Sequence, residues 1–149
     1  MPRDKPHVLF LDGSNAAGSL MAEALLQRHA GERFEVASAG LEPREVTALT
    51  RQVLEEVGIE ATRLRSKRIK EFLARVPVQY AIILTQAAKA SAPRLYPFAG
   101  KTLRWPCADP AEGDDATGDR LEAFRQLRDQ IDAHIRSWVA EVEATAAGA

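Results

Sequence analysis

A loop near the N-terminus holds the aspartate that is best placed for chemistry. The loop follows a continuous apolar run at 7–11, which is typical of a strand buried on both faces in a parallel sheet. It reads Asp12-Gly13-Ser14-Asn15-Ala16-Ala17-Gly18-Ser19. In sheets of this kind the functional site lies beyond the carboxyl ends of the strands. The sequence therefore predicts that Asp12 stands at the site.

A second group of acids follows a later strand and is expected on the same edge of the sheet. It consists of Asp109, Asp114 and Asp115. An aspartate can accept a phosphoryl group when a metal neutralises the phosphate, and Asp12 with these acids would offer oxygen ligands to Mg²⁺. No second acid stands at Ser14, where aspartyl phosphatases place one. Metal-assisted hydrolysis is therefore kept as an alternative, and no resident metal is predicted.

The single cysteine, Cys107, is another candidate nucleophile. It lies close in sequence to Asp109, and a neighbouring carboxylate disfavours the reactive thiolate. A small apolar residue in or near the core is the favoured interpretation. His7, His29 and His134 lack metal-ligand spacing. No cofactor is therefore predicted.

Strand-like and helix-like segments alternate along the chain and must position these residues. Strands are predicted at 7–11, 34–37, 80–84 and 101–105. Helices are predicted at 20–31, 46–57, 69–73, 86–95 and 121–138. The last helix carries one apolar face, made of Leu121, Phe124, Leu127, Ile131, Ile135 and Trp138. The alternation predicts a three-layer α/β fold, in which a four-stranded parallel sheet has helices on both faces.

Composition limits the classes of protein to which the chain can belong. Its 149 residues, 46% of them apolar, suit a single domain over 1–149 with flexible ends at 1–6 and 142–149. The formal net charge of −1 disfavours nucleic-acid binding, which needs a basic face. No apolar run reaches the ~20 residues that span a bilayer, and no signal-peptide core is present. A soluble, cytoplasmic protein is expected.

One short basic run stands out against this near-neutral balance. It consists of Arg63, Arg65, Lys67, Arg68 and Lys70. A solvated loop and helix start is the favoured interpretation, and a docking surface is the alternative. Trp105 and Tyr96 raise a similar question, because aromatic residues at the ends of strands and helices either anchor a partner or belong to the core.

Seven short pieces of the sequence follow one another in an informative order. They lie at 8–11 with 21–26, at 34–40, 53–59, 65–67, 100–102, 105–106 and 109–110. Together they cover the chain from about residue 7 to residue 138. In this order they resemble the superfamily of low-molecular-weight protein tyrosine phosphatases and thioredoxin-coupled arsenate reductases. The Glu-Val-Gly-Ile piece at 56–59 and the Gly-Lys-Thr piece at 100–102 favour the arsenate-reductase branch.

The resemblance implies a known chemistry for the loop after the first strand. In the superfamily this loop reads Cys-x5-Arg followed by Ser or Thr, and its thiolate attacks phosphorus or arsenic. Backbone N–H groups of the loop and the helix start cradle the oxyanion. The planar fork of the arginine binds two oxyanion oxygens. An aspartate from a distant loop protonates the leaving group.

This chain departs from that pattern at its two most important positions. Asp12 stands in the place of the nucleophile, and Gly18 stands in the place of the arginine. Asn15 and Ser19 match the loop, and Asp109 before Pro110 matches the general acid. The further cysteines of arsenate reductases are replaced near Ala17, Thr85 and Ala92.

These substitutions lead to the hypothesis of a catalytically inactive homologue. The loop N–H groups could hold the Asp12 carboxylate as an internal stand-in for the substrate. Binding of phosphate or arsenate is then expected to be weak, because a negative charge would repel the oxyanion and a bidentate arginine is missing. A binding or regulatory role follows, with a protein partner or a second copy of the chain. Residual phosphatase or arsenate-reductase activity is the alternative.

Overall fold

A four-stranded parallel sheet forms the centre of the molecule. The computed structural model describes residues 5–13, 15–68, 78–85, 100–107 and 120–147. The strands are β1 (His7–Asp12), β2 (Glu35–Gly40), β3 (Tyr80–Thr85) and β4 (Lys101–Cys107). They pair in parallel in the order β2-β1-β3-β4. This arrangement confirms the predicted α/β fold and the four strands of its sheet.

The described part of the chain contains three helices. They are α1 (Gly18–Ala30), α2 (Ala48–Glu56) and α3 (Arg120–Ala147). Thr47 caps α2, because its hydroxyl accepts a hydrogen bond from the Thr50 N–H at 3.2 Å. The helices predicted at 69–73 and 86–95 lie outside the described residues. None of the described helices combines the length and the apolar character needed to cross a bilayer.

All four strands end later than the sequence predicted, β1 and β3 by one residue and β2 and β4 by two or more. β2 continues through the Ser-Ala-Gly piece because Ser38, Ala39 and Gly40 pair with the end of β1. β4 continues to Cys107 beyond a register shift against β3. It includes Pro106, which an edge strand tolerates because one side of its backbone needs no partner. At the other end of the chain, α3 reaches Ala147, so it enters the segment 142–149 whose predicted flexibility stays a prediction.

Both faces of the sheet are buried. Val8 and Phe10 point to the face that packs with α1 and α3, and alternation along β1 turns Leu9 and Leu11 to the opposite face. All four side chains are at most 1% exposed. This burial of β1 on both faces agrees with the predicted three-layer fold. The apolar face of α3 is also confirmed, through Phe124, Leu127, Ile131, Ile135 and Trp138.

Aromatic side chains fill the space between the sheet and α3. Trp138 lies 5.2 Å from Phe34, 5.1 Å from Tyr80 and 6.3 Å from Trp105, measured between ring centroids. Trp105 also stacks on His134 at 5.3 Å with an interplanar angle of 11°. Trp105 is therefore a core residue and not a surface anchor for a partner. Tyr96 lies outside the described residues.

Phe124 provides a direct test of this core. Its side chain is fully buried, so Phe124→Ala should lower the free energy of unfolding by about 3–5 kcal/mol through lost burial and a residual cavity. Urea denaturation followed by tryptophan fluorescence measures the change. Leu41→Ala is the matched control, because Leu41 is 45% exposed and should cost no more than about 0.5 kcal/mol. Equal effects of the two substitutions would contradict the described core.

Charged contacts hold α3 against the ends of α1 and α2. The Arg125 guanidinium donates to both carboxylate oxygens of Glu56 at 2.7–3.1 Å. Asp132 lies 2.6 Å from the His29 ring nitrogen and accepts from Arg136 at 2.8 Å. Burial raises the pKa of Asp132, but the hydrogen bonds from His29 and Arg136 outweigh that effect and hold the pKa below its usual value of 3.8.

The lowered pKa of Asp132 predicts a pH-dependent contribution to stability. A carboxyl whose pKa is lower in the folded state stabilises it above the unfolded pKa, and this contribution is lost as the pH falls through the folded value. The unfolding free energy of the parent should therefore exceed that of Asp132→Asn at pH 5. The difference should shrink as the pH falls from about 4 towards 2.5. Urea titrations at each pH measure it, and a difference that grows in acid would contradict the assignment.

Candidate active-site loop

The candidate site lies at the end of a central strand. β1 pairs with β2 on one side and with β3 on the other, so its last residue, Asp12, lies in the middle of the carboxyl edge of the sheet. The loop then turns through Asn15, Ala16 and Ala17 into α1, which begins at Gly18. The sequence predicted this position from the apolar run and the turn residues that follow it.

The Asp12 carboxylate is directed into the loop. Its Oδ1 accepts a hydrogen bond from the Asn15 N–H at 2.7 Å, and its Oδ2 accepts one from the Ser19 N–H at 2.9 Å. Asp12 is only 1% exposed. The side chain of Ala17 cannot cap α1, so Asp12 satisfies one of the free N–H groups in the first turn of the helix.

Asn15 fixes the shape of the loop. Its φ angle is 48°, a left-handed conformation that asparagine tolerates better than most residues. Its amide nitrogen donates to the hydroxyls of Ser19 at 2.7 Å and Ser38 at 2.9 Å, and its amide oxygen accepts from the Lys67 N–H at 2.8 Å. One buried side chain therefore joins the loop, α1, β2 and the segment that contains Lys67.

A partly buried ion pair lies next to the hydrogen bonds of Asn15. Ser38 donates its hydroxyl hydrogen to Glu23 at 2.7 Å, and the Lys67 ammonium lies 3.2 Å from the same carboxylate. Lys67 is only 8% exposed, and it also donates to the Arg65 carbonyl at 2.9 Å. Removal of the Glu23 charge would leave the buried Lys67 ammonium uncompensated. The charge of Lys67 is thus committed to holding the loop in place.

Gly18 packs between the aspartate and the last helix. A Cβ atom at this position would lie 3.7 Å from Asp12 Oδ2, 3.8 Å from Leu127 Cδ2 and 3.9 Å from Ile131 Cδ1. These are ordinary van der Waals distances. The first atom of a side chain therefore fits at position 18, and the glycine is not required by crowding.

Some of the other candidate residues predicted from the sequence lie outside the described part of the chain, and the rest lie within it. Ser14, Asp109, Asp114 and Asp115 lie outside the described residues, so their roles stay predictions. Among the described residues, no three His, Cys, Asp or Glu side chains come together as a metal site. The backbone of Cys107 ends β4, His29 contacts Asp132, and His134 stacks on Trp105.

The sequence predicted no support of the loop by Glu23, Ser38 or Lys67. The solvated position predicted for Lys67 as part of the basic run is wrong, because Lys67 is only 8% exposed. Ser38 and Lys67 belong to the Ser-Ala-Gly and Ser-Lys pieces that carried the resemblance, so a signal was present. The signal did not say what the residues do, because Lys67 is 44 positions from Glu23 along the chain. Only the folded sheet brings them together.

Residues 7–147 match the family described as low molecular weight phosphotyrosine protein phosphatase. The chain belongs to this family. The match covers the whole of the sheet, the loop and the three helices described above. It confirms the resemblance that the seven sequence pieces indicated.

Curated relatives in the family include arsenate reductases. The arsenate reductase of Halalkalibacterium halodurans is 26% identical over 135 residues, which cover 91% of this chain and 96% of the relative. Arsenate reductase 1 of Bacillus cereus is 29% identical over 136 residues, with 91% and 95% coverage. The chain is therefore similar along nearly its full length to proteins named as enzymes.

Solved structures give the same fold. An arsenate reductase in a phosphate-binding state has a TM-score of 0.77 and 26% identity, with coverage of 91% of this chain and 98% of that one. The tyrosine phosphatase Wzb from Escherichia coli K30, in complex with sulphate, has a TM-score of 0.76 at 21% identity and covers 93% and 99%. At that identity the second likeness concerns the fold alone.

Loss of the Asn15 side chain should disturb the loop. Asn15→Ala removes three buried hydrogen bonds and places alanine at a positive φ angle, so it should lower the unfolding free energy by about 3 kcal/mol. Asn15→Gly is the matched variant. It loses the same hydrogen bonds but accepts the backbone angle, and should recover about 1 kcal/mol of that loss. Chemical denaturation compares the three proteins, and two equally stable variants would contradict the backbone contribution.

Proposed function

We propose that this chain is a member of its family without thiol-based catalysis, whose anion loop is occupied by its own Asp12 carboxylate and whose role is binding or regulation. The proposal rests mainly on one observation. The carboxylate is buried and accepts hydrogen bonds from the N–H groups of Asn15 and Ser19. In the family pattern these are positions of the loop that cradles an oxyanion.

Competition for these N–H groups argues against tight oxyanion binding. An entering phosphate or arsenate would have to displace a buried carboxylate from two charge-assisted hydrogen bonds, each of which contributes roughly 1.5–3 kcal/mol. The displaced negative charge would remain beside the oxyanion and repel it. Gly18, at the position of the family's arginine, contributes no guanidinium fork to offset this cost.

The absence of a thiol from the loop argues against the family's nucleophilic step. Cys107 is the only cysteine in the sequence, and its backbone lies in β4, which is separated from β1 by β3. Two strand spacings amount to about 10 Å. A thiol on that strand does not occupy the position from which the family's cysteine attacks.

Restoration of the missing groups tests the proposal. Asp12→Cys with Gly18→Arg should hydrolyse p-nitrophenyl phosphate measurably above the parent, because the loop and its buried support are already in place. Asp12→Cys alone is the matched control and should stay far below the double variant, since it lacks the guanidinium that binds the phosphate oxygens. Initial rates over a range of substrate concentrations, at equal protein concentration and with equal thermal stability of the variants, provide the measurement.

Two results with the parent protein would overturn the proposal. One is turnover of an aryl phosphate or arsenate by the parent itself, and Mg²⁺-dependent turnover that Asp12→Asn abolishes would identify the aspartate as a metal-assisted nucleophile. The other is tight binding of phosphate, arsenate or vanadate in calorimetry. The proposal expects neither, because the carboxylate already holds the loop.

A further inference from the structure

A buried threonine of α2 bonds to the loop between β1 and α1. Thr50 is fully buried, and its Oγ1 donates to the Ala16 carbonyl at 2.8 Å. A threonine inside a helix commonly donates to a carbonyl of its own preceding turn, whereas Thr50 donates to a residue 34 positions away. The hydroxyl is therefore engaged by the loop and not by its own helix.

The chemistry of the partners fixes the direction of this hydrogen bond. The Ala16 carbonyl has no hydrogen to offer, so the single hydroxyl hydrogen of Thr50 points to it. The Thr47 hydroxyl lies 2.6 Å from Thr50 Oγ1 and must then be the donor of that contact. In return, Thr47 Oγ1 accepts from the Thr50 N–H at 3.2 Å. Both hydroxyl hydrogens are thus assigned, and that of Thr50 belongs to the loop.

The Ala16 carbonyl accepts a second hydrogen bond from the same end of α2. The Thr47 N–H donates to it at 3.3 Å, and a carbonyl oxygen has two acceptor positions. The peptide between Ala16 and Ala17 is trans, so its N–H points opposite to its C=O. A carbonyl that is held by α2 therefore turns the Ala17 N–H away from α2.

Two further carbonyls of the loop are held in a similar way. The Leu41 N–H donates to the Asp12 carbonyl at 3.2 Å, and the Glu42 N–H donates to the Gly13 carbonyl at 2.8 Å. These two donors are backbone groups, which most substitutions leave in place. Thr50 adds a side-chain donor to the same support, so its contribution can be removed by substitution.

We infer that Thr50 is a positioning residue of the loop. Its hydroxyl fixes the peptide after Ala16, and this peptide lies midway along the chain between the two N–H groups that bind the Asp12 carboxylate, those of Asn15 and Ser19. Release of the peptide would let both N–H groups turn away from the carboxylate. The inference rests on the proposed function, in which these N–H groups hold Asp12, and it names a residue that orients them.

Matched substitutions at position 50 test the inference by nuclear magnetic resonance. Thr50→Val keeps the shape of the side chain and removes the hydroxyl, whereas Thr50→Ser keeps the hydroxyl. A short hydrogen bond to a carboxylate moves an amide proton downfield, so the Asn15 and Ser19 amide protons should move upfield in Thr50→Val. Their hydrogen exchange should accelerate at least about tenfold relative to the Phe10 amide, since an orienting hydrogen bond is lost. Thr50→Ser should remain near the parent in both measurements.

The Phe10 amide separates local from global effects. Phe10 lies in β1 and pairs with a strand on each side, so its exchange follows the unfolding of the sheet. A Thr50 with only a structural role would accelerate the exchange of all three amides by the same factor. Thr62→Val is the matched control, because it removes a hydroxyl from an exposed threonine. It should leave the exchange of Asn15 and Ser19 within about twofold of the parent.

Kinetics provide a second measurement. In the Asp12→Cys, Gly18→Arg background, Thr50→Val should raise the KM for p-nitrophenyl phosphate at least about threefold, because misdirected N–H groups bind the phosphate less well. A structural role alone would lower the active fraction, and hence the apparent kcat, with KM unchanged. Thr50→Ser should restore the KM of the background.

Three results would overturn the inference. They are unchanged Asn15 and Ser19 amides in Thr50→Val, equal behaviour of Thr50→Val and Thr50→Ser, and an unchanged KM in an active background. A background without activity would count against the proposed function alone. The amide measurements keep the parent residues at positions 12 and 18, so they would still decide the role of Thr50.

Discussion

The two hydrogen bonds from backbone N–H groups to the Asp12 carboxylate are the constraint on which the rest of the site depends. A loop that turns from a strand into a helix directs several N–H groups towards one point, and buried N–H groups require an acceptor. In this chain the acceptor comes from the end of β1 itself. The Asp12 side chain therefore links the end of β1, the loop and the first turn of α1.

The support behind the loop belongs to the same arrangement. Asn15 adopts a left-handed angle that costs free energy for most residues, and its three hydrogen bonds offset that cost. The pair of Glu23 and Lys67 in turn holds Ser38, which accepts one of those bonds. The Lys67 ammonium is therefore paired with Glu23, and this ion pair stabilises the shape of the loop.

Local signals in the sequence predicted the frame of the molecule well. The apolar run of β1 and the helical spacing from Phe124 to Trp138 depend on burial against the core, and the fold buries both. The extra residues of β2 and β4 were missed because strand ends are set by pairing partners, which alternation along one strand cannot reveal. The roles of Glu23 and Lys67 were missed for a related reason, since their contact depends on the register of the whole sheet. Asp12 was recognised because its position and its chemistry are both local.

The hydrogen bonds from the loop to Asp12 also explain how the fold can persist when residue 12 is an aspartate and not the family's cysteine. A cysteine leaves the converging N–H groups available to an external anion, so the unliganded loop must be stabilised by water or by neighbouring groups. An aspartate brings its own acceptor for two of these N–H groups. The stability of the loop then does not depend on an anion bound from outside.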